Sequence, residues 1–328
     1  MLHQRASSQT LQVPGSSTLR TAKHGHIDAG ARLLLVWVAL AWGSTWPALR
    51  IALDDIPPFS MRVATSVLGA AAMFALAFWQ RRELRIGGFV ARLHVVVSGC
   101  LNVAAFSVFT AFAQLATTTS RVAVVSYTMP IWAALLARFV LGERLTGMRG
   151  LSLMLCMIGL AVLLYPQLGS PDFIGLGLAL AAAVCWAAGT VYVKWAQIDA
   201  DPLATSAWQM IVALVISAAC LLPVEGALHL WTARTRSLLA LVFAGIAGSA
   251  VAYSLWFEIV RRLPATTAAL GLLNVPVVGL FASMLALGER PTMADLIGFA
   301  FIFVAAACVL LTPATRLPQP RSIDPPGR

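Results

Sequence analysis

Charge is what this sequence has least of. Only 11% of its 328 residues are Asp, Glu, Lys or Arg, against 59% hydrophobic residues. A soluble protein of this length could not cover its surface with so few. Acidic residues are scarcest, 13 against 23 basic ones, and none lies near the centre of an apolar run. The five cysteines, Cys100, Cys156, Cys185, Cys220 and Cys308, all fall inside apolar runs with no CxxC spacing. That spacing speaks against thiolate metal ligands or a disulfide framework and for small packing residues. His24 and His26 lie in a polar stretch with no HExxH pattern, so neither metal nor cofactor is expected. GxxxxGK[ST] is absent, so the chain does not hydrolyse ATP through a P-loop. No polar stretch is long enough for an extramembrane domain. Function must therefore sit within a membrane or at its faces.

What the chain has is apolar runs of roughly 20 residues, the length that crosses a hydrocarbon core as a helix. They cover about 33–52, 59–79, 93–114, 122–141, 148–165, 173–195, 203–223, 237–257, 265–287 and 293–312. The expected fold is an all-α integral membrane protein with ten transmembrane helices. Residues 1–32 and 313–328 are expected to be disordered tails, and the first holds no apolar segment of a cleavable signal peptide. The formal charge of +10 lies mostly in short connections, which fits cytoplasmic retention of Lys and Arg rather than nucleic-acid binding. Arg81, Arg82, Arg85, Arg92, Arg138, Arg144 and Arg149 place both termini in the cytoplasm, as in a bacterial inner membrane protein.

The two halves repeat. At an offset of 144, Trp42 meets Trp186, Arg50 meets Lys194 and Pro58 meets Pro202. At 146, Gly99 meets Gly245, Pro130 meets Pro276, Thr146 meets Thr292, and "GER" at 142–144 meets "GER" at 288–290. Each copy has five spans, an odd number, so the second must cross in the opposite sense. Two inverted five-helix repeats, 33–165 and 173–312, are the signature of a secondary transporter with its substrate path near the midplane between the copies.

"WGSTWPALRIALDDIPPFSMRVATSVLGA", the later "YTMP" and "LGERLTGMRG" resemble the EamA family of the drug/metabolite transporter superfamily. "CWAAGTVYVKW" through "NVPVVGLFASMLALGERPT" is similar to that family's second repeat. The resemblance implies a gradient-driven or facilitative transporter, often an exporter of amino acids or other small amphiphilic metabolites. Protons are its common coupling ion. It does not single out a substrate, and a homodimer stays open beside the partners expected on any reading, a small molecule and the bilayer.

Substrate-path candidates start in the first span. Trp42 and Trp46 share a face one turn apart, with Ser44 and Thr45 between them. They line a cavity, or the hydroxyls bond back to the backbone while the rings pack. Pro47 lacks an N–H and can bend that span, while Pro130 and Pro276 recur in both halves as hinge candidates, freeing the carbonyls of Ser126 and Leu272. Asn102, Tyr127, Thr190, Tyr192, Gln209, Tyr253 and Asn274 are polar groups deep in spans. Such groups bond helices together or face a water path. Trp186 joins them as the counterpart of Trp42. Arg62, one turn into the second span, either snorkels or offers a cation to an anionic substrate group. Glu258 is expected to pair with Arg261 or Arg262. Gly142 and Gly288 are expected in C-terminal caps, with Glu143 and Glu289 preceding the next helices.

A lipid-modifying enzyme would need a nucleophile and base, yet His94 has no partner in sequence. A membrane scaffold would not need the mid-span prolines.

Overall fold

The computed structural model describes residues 29–145, 147–167, 173–288 and 290–311, and every regular element described is helical. The expected tails, His24, His26, Thr146 and Glu289 lie outside them in whole or part. Ten helical spans follow one another: α1 (Ala29–Ala52), α2 (Pro58–Trp79), α3 (Phe89–Ala116), α4 (Thr119–Ser126 and Met129–Val140) and α5 (Gly147–Leu164). The second copy supplies α6 (Phe173–Ala196), α7 (Pro202–Glu225), α8 (Thr235–Arg262), α9 (Ala265–Gly271 and Asn274–Leu287) and α10 (Met293–Leu311). Among the described residues nine helices are long and apolar enough to cross a bilayer, and α10, apolar over Met293–Cys308, is a shorter one. The ten spans form two inverted five-helix repeats. The face holding the start of α1 is called the N face below, and the opposite one the far face.

The helices pack chiefly across the repeats. α2 runs along α7 and α5 along α10, while α1 lies on α8 and α9, and α6 on α3 and α4. One twofold relation covers all of these pairs. Lipid tails are as apolar as leucine, so burial of apolar side chains does not drive helices together inside a bilayer; close approach and polar bonds must. At the α1–α8 crossing a Cβ on Gly248 would stand 2.8 Å from Thr45, and at the α6–α3 crossing one on Gly189 would stand 2.6 Å from the Asn102 nitrogen. Only glycine lets these backbones meet.

Two features depart from uniform helices. α3 and α8 each contain a π-helical stretch, Cys100–Ala105 and Ala244–Val251, directly after Gly99 in α3 and across Gly245 in α8. α4 and α9 are interrupted, at Tyr127–Thr128 and Leu272–Leu273, with Pro130 and Pro276 just inside the segments that follow. The Leu272 carbonyl, which the proline was expected to free, accepts the Val275 N–H at 2.8 Å. α1, by contrast, continues as helix through Pro47.

Carboxylates tie the helix ends across the repeats. Glu225, ending α7, accepts the N–H groups of Phe59 (2.6 Å) and Ser60 (2.8 Å) at the start of α2 on the far face. Asp201 caps α7 through the Leu203 N–H (2.7 Å) and meets Arg82 at 3.2 Å on the N face. In the α1–α2 loop Asp55 holds Arg234 (2.9 Å) and Ser237 at the start of α8. The Arg234 guanidinium holds the Asp55 carboxyl at about 2, well below its usual 3.8. Glu258 pairs with Arg261 (2.9 Å) and Arg262 (2.6 Å), as expected.

Gly142 and Gly288 take positive φ, +66° and +67°, as C-terminal caps do. The expectation for Glu143 needs correcting. Its carboxylate leaves its own repeat and accepts the N–H groups of Ala265 (2.7 Å) and Thr266 (3.0 Å), the first turn of α9, with only 8% of the residue exposed. The orphan donors and positive dipole end of a helix favour a carboxylate there. Glu143→Ala should therefore lower stability by about 2 kcal/mol, read as a lower thermal midpoint in detergent. Glu143→Gln, which keeps one acceptor, should lose less.

Candidate functional site

α1 places four side chains, Trp42, Thr45, Trp46 and Leu49, on one face at three- and four-residue spacing, and that face looks into the centre of the molecule. There they line a cleft with about 1040 Å³ of unfilled space, its mouth included. α2 adds Arg62, Thr65 and Ser66, again one helical face. The rest comes from α3 (Val103, Phe106, Ser107), α4 (Tyr127, Met129, Pro130), α6 (Trp186), α7 (Met210), α8 (Ala244, Gly248, Ser249, Tyr253) and α9 (Leu272, Leu273, Val275, Pro276). Both repeats therefore build it. Four side chains come from α1 against one from its counterpart α6, so the cleft is lopsided toward α1.

Trp42 organises the wall. Its Nε1 donates to the Gly248 carbonyl at 3.0 Å, within the π-helical stretch of α8. The ring meets Tyr253 edge-on at 5.3 Å, Trp256 at 5.8 Å and Trp186 at 6.1 Å, and Trp186 and Trp256 lie 4.8 Å apart. Aromatic pairs at these separations attract beyond their burial, and the cluster holds its rings in fixed orientation. Thr45 turns its hydroxyl back to the Ala41 carbonyl (2.6 Å) and packs against Gly248, where a Cβ would meet its methyl group and its oxygen alike at 2.8 Å.

A second recess, open at the far face, is lined by Pro47, Arg50, Thr119, Ser283, Arg290 and Asp295 among others. Trp46, Tyr127 and Pro276 line both this recess and the central cleft. The rings of Trp46 and Tyr127 meet edge-on at 6.2 Å and so form the neck between the two spaces. A recess on the N face, around Lys194, Asp199 and Arg261, shares no lining residue with the cleft. Glu143 and its cap on α9 stand at that face, and Lys194 Nζ donates to the Val260 carbonyl (2.8 Å).

Of the residues singled out in sequence, the cleft gathers Trp42, Thr45, Trp46, Arg62, Tyr127, Trp186 and Tyr253, with the hinge candidates Pro130 and Pro276. Pro47 lies in the far-face recess. Six path candidates lie elsewhere. Ser44 bonds back to the Leu40 carbonyl (2.6 Å). Asn102 donates to the Trp186 carbonyl and the Thr190 hydroxyl, both at 3.0 Å, joining α3 to α6. Gln209 donates to Ser98 (2.8 Å), joining α7 to α3, and Tyr192 bonds His94 (2.7 Å) near the N face. Asn274 opens the second half of α9 outside the cleft. Sequence reading passed over Thr65, Ser66, Ser107 and Ser249. For the first two a signal existed: they follow Arg62 at three and four residues, on the same helical face.

The neck makes a testable statement. Tyr127→Ala should widen it, so that a thiol introduced in the cleft by Ser66→Cys reacts several-fold faster with a small thiol reagent supplied from the far face. Tyr127→Phe, which keeps the ring, should leave the rate nearly unchanged.

The chain matches the EamA-like transporter family over residues 30–165 and 173–311, that is, twice. YoaV, an uncharacterized transporter of Bacillus subtilis (strain 168), is 25% identical over 268 residues, which cover 80% of this chain and 91% of YoaV. A probable amino-acid metabolite efflux pump of Escherichia coli (strain K12) is 26% identical over 285 residues, 82% of this chain and 91% of the pump. A solved crystal structure shares the fold with a TM-score of 0.71 at 24% identity, covering 86% of this chain and 96% of its own. An odd number of helices in each copy, a cleft built by both copies and a double match lead to one conclusion: the chain belongs to the EamA-like transporter family, in the drug/metabolite transporter superfamily, and is a multi-pass membrane transporter rather than an enzyme.

Proposed function

We propose that this protein exports small organic metabolites, amino acids or other amphiphilic compounds, from a bacterial cytoplasm across the inner membrane. The observation that carries the reading is the aromatic-walled cleft at mid-depth between the two inverted repeats, separated from the far-face recess by Trp46 and Tyr127. Trp42, Trp186 and Tyr253 offer an apolar solute flat, rigid surfaces, while Thr65, Ser66 and Ser107 lie within the same lining. The probable amino-acid efflux pump among the relatives supports amino acids as a substrate class and export as the direction.

Both termini lie in the cytoplasm on this reading, so the far face is periplasmic and the two repeats, 33–165 and 173–312, are flanked by cytoplasmic tails, 1–32 and 313–328. The arginine-rich α2–α3 connection supports this orientation. Transport is gradient-driven or facilitative. Among the described residues no carboxylate lines the cleft, which favours downhill movement of the solute over a proton relay through the protein. The breaks in α4 and α9, symmetric about the cleft, serve as the hinges, because a helix with two residues out of register bends there at least cost.

Two measurements test the reading. Proteoliposomes holding the protein should pass amino acids and amphiphilic compounds faster than empty liposomes; no flux of any compound with folded protein sinks the proposal. In protein whose five native cysteines are serine, Trp231→Cys should react with a membrane-impermeant maleimide in intact spheroplasts, and Glu83→Cys only after permeabilisation. The reverse pattern would turn the molecule over.

A further inference from the structure

Arg62 is the one lining residue of the cleft whose charge has no partner among the described residues. It sits one turn into α2, 8% exposed, and no acidic side chain lines the cleft beside it. Its Nη2 donates to the Gln114 Oε1 of α3 at 2.9 Å, a neutral acceptor, and its Nε has no acceptor. Gln114 is turned so that its oxygen faces the guanidinium, which leaves its Nε2, a donor, buried without a partner as well. Both unmet groups at this contact are therefore N–H donors, and the only acceptor is already used. A guanidinium does not lose its proton inside proteins, so this charge persists.

Three carboxylates among the described residues show charge that is answered. Glu143 receives two N–H groups, Glu225 receives two N–H groups and a hydroxyl, and Glu258 receives two arginines. Arg62 has no such anionic partner, and it stands where the protein keeps open space. A buried cation left with unused donors is costly unless something anionic joins it.

We infer that the cleft takes a small organic carboxylate, with Arg62 as the anion's partner and the Trp42–Trp186–Tyr253 wall against its apolar part. This rests on the transporter reading and names the substrate class within it. A carboxylate is planar and accepts the parallel N–H pair of a guanidinium. A single cation suits one negative charge better than a phosphate dianion. The aromatic wall suits a body with rings or branches, and its ring faces also accept an ammonium group, so zwitterionic amino acids qualify. A purely structural Arg62 would bond α2 to α3 whatever the solute. The test must therefore read solute charge, not stability.

Purified full-length protein in detergent is titrated, by tryptophan fluorescence and thermal shift, with L-phenylalanine, L-tryptophan, indole-3-acetate and benzoate, each beside its primary amide. Acid and amide differ in charge and little else. At least one acid should bind about tenfold tighter than its amide, the scale of a charge-assisted bond. Arg62→Gln should bring the pair within about twofold, and Arg62→Lys should keep part of the preference. Amides binding as well as acids, a preference that survives in Arg62→Gln, or no binding by any acid overturns the inference. Comparing acid and amide on unaltered protein keeps the test valid should Arg62→Gln not fold. Flux of the same compounds in proteoliposomes separates the two readings. Binding of acids without flux sinks the transport proposal and leaves the carboxylate site, while flux of amides but not acids sinks the site and leaves transport.

Discussion

The bond from the Trp42 indole to the Gly248 carbonyl joins the first repeat to the second at the depth where the cleft lies. Inside a bilayer a backbone carbonyl must find a donor within the protein, and neither water nor lipid will supply one. A π-helical turn shifts the hydrogen-bond ladder by one residue, and such turns recur at functional sites. Here the carbonyl within that turn is taken by a side chain of the other repeat. Because the bond fixes Trp42, it also fixes the positions of Trp186, Tyr253 and Trp256 around it. The cleft is as rigid on this side as the crossing that holds it.

The twofold-related crossing keeps the arrangement and exchanges the roles. At α1–α8 the small residue, Gly248, is on the π-helical stretch, and the hydroxyl, Thr45, is on the continuous α-helix. At α6–α3 the glycine, Gly189, is on the continuous α-helix, while the π-helical stretch carries Asn102, which donates to the Trp186 backbone carbonyl. Each crossing has one glycine and one polar side chain, so both close equally well. In the first the indole N–H of Trp42 bonds the glycine carbonyl across the crossing; in the second it is the Trp186 backbone carbonyl that is bonded, and the Trp186 ring, 2% exposed, lies deeper in the cleft wall.

The ten spans were legible because length and hydropathy fix them with little help from neighbours. The repeat was legible because prolines and "GER" triplets sit at turns and breaks, where few residues substitute. The aromatic wall on α1 could be read because Trp42 and Trp46 share a face. Asn102, Thr190 and Gln209 show where such reading stops. A polar side chain deep in a span announces that it needs a partner, but whether that partner is a helix or a solute depends on what stands opposite. The pairs here lie 88 and 111 residues apart. Glu143 was read as a local turn for the same reason, since the N–H groups it serves are 122 residues away. The π-helical stretches left no trace beyond a glycine repeated at 99 and 245.

The isolation of Arg62 has an electrical side. An elementary charge moved through the membrane field gains or loses about 2.3 kcal/mol per 100 mV. On the carboxylate inference, a seated monoanion and Arg62 sum to zero, and a change of access that carries both through part of the field does no electrical work. When the guest is gone the guanidinium crosses that same fraction alone. The resting potential, positive outside, then opposes the outward passage of the empty site and assists its return inward. On that inference, and for a monoanion, voltage acts on the half of the cycle in which nothing is carried.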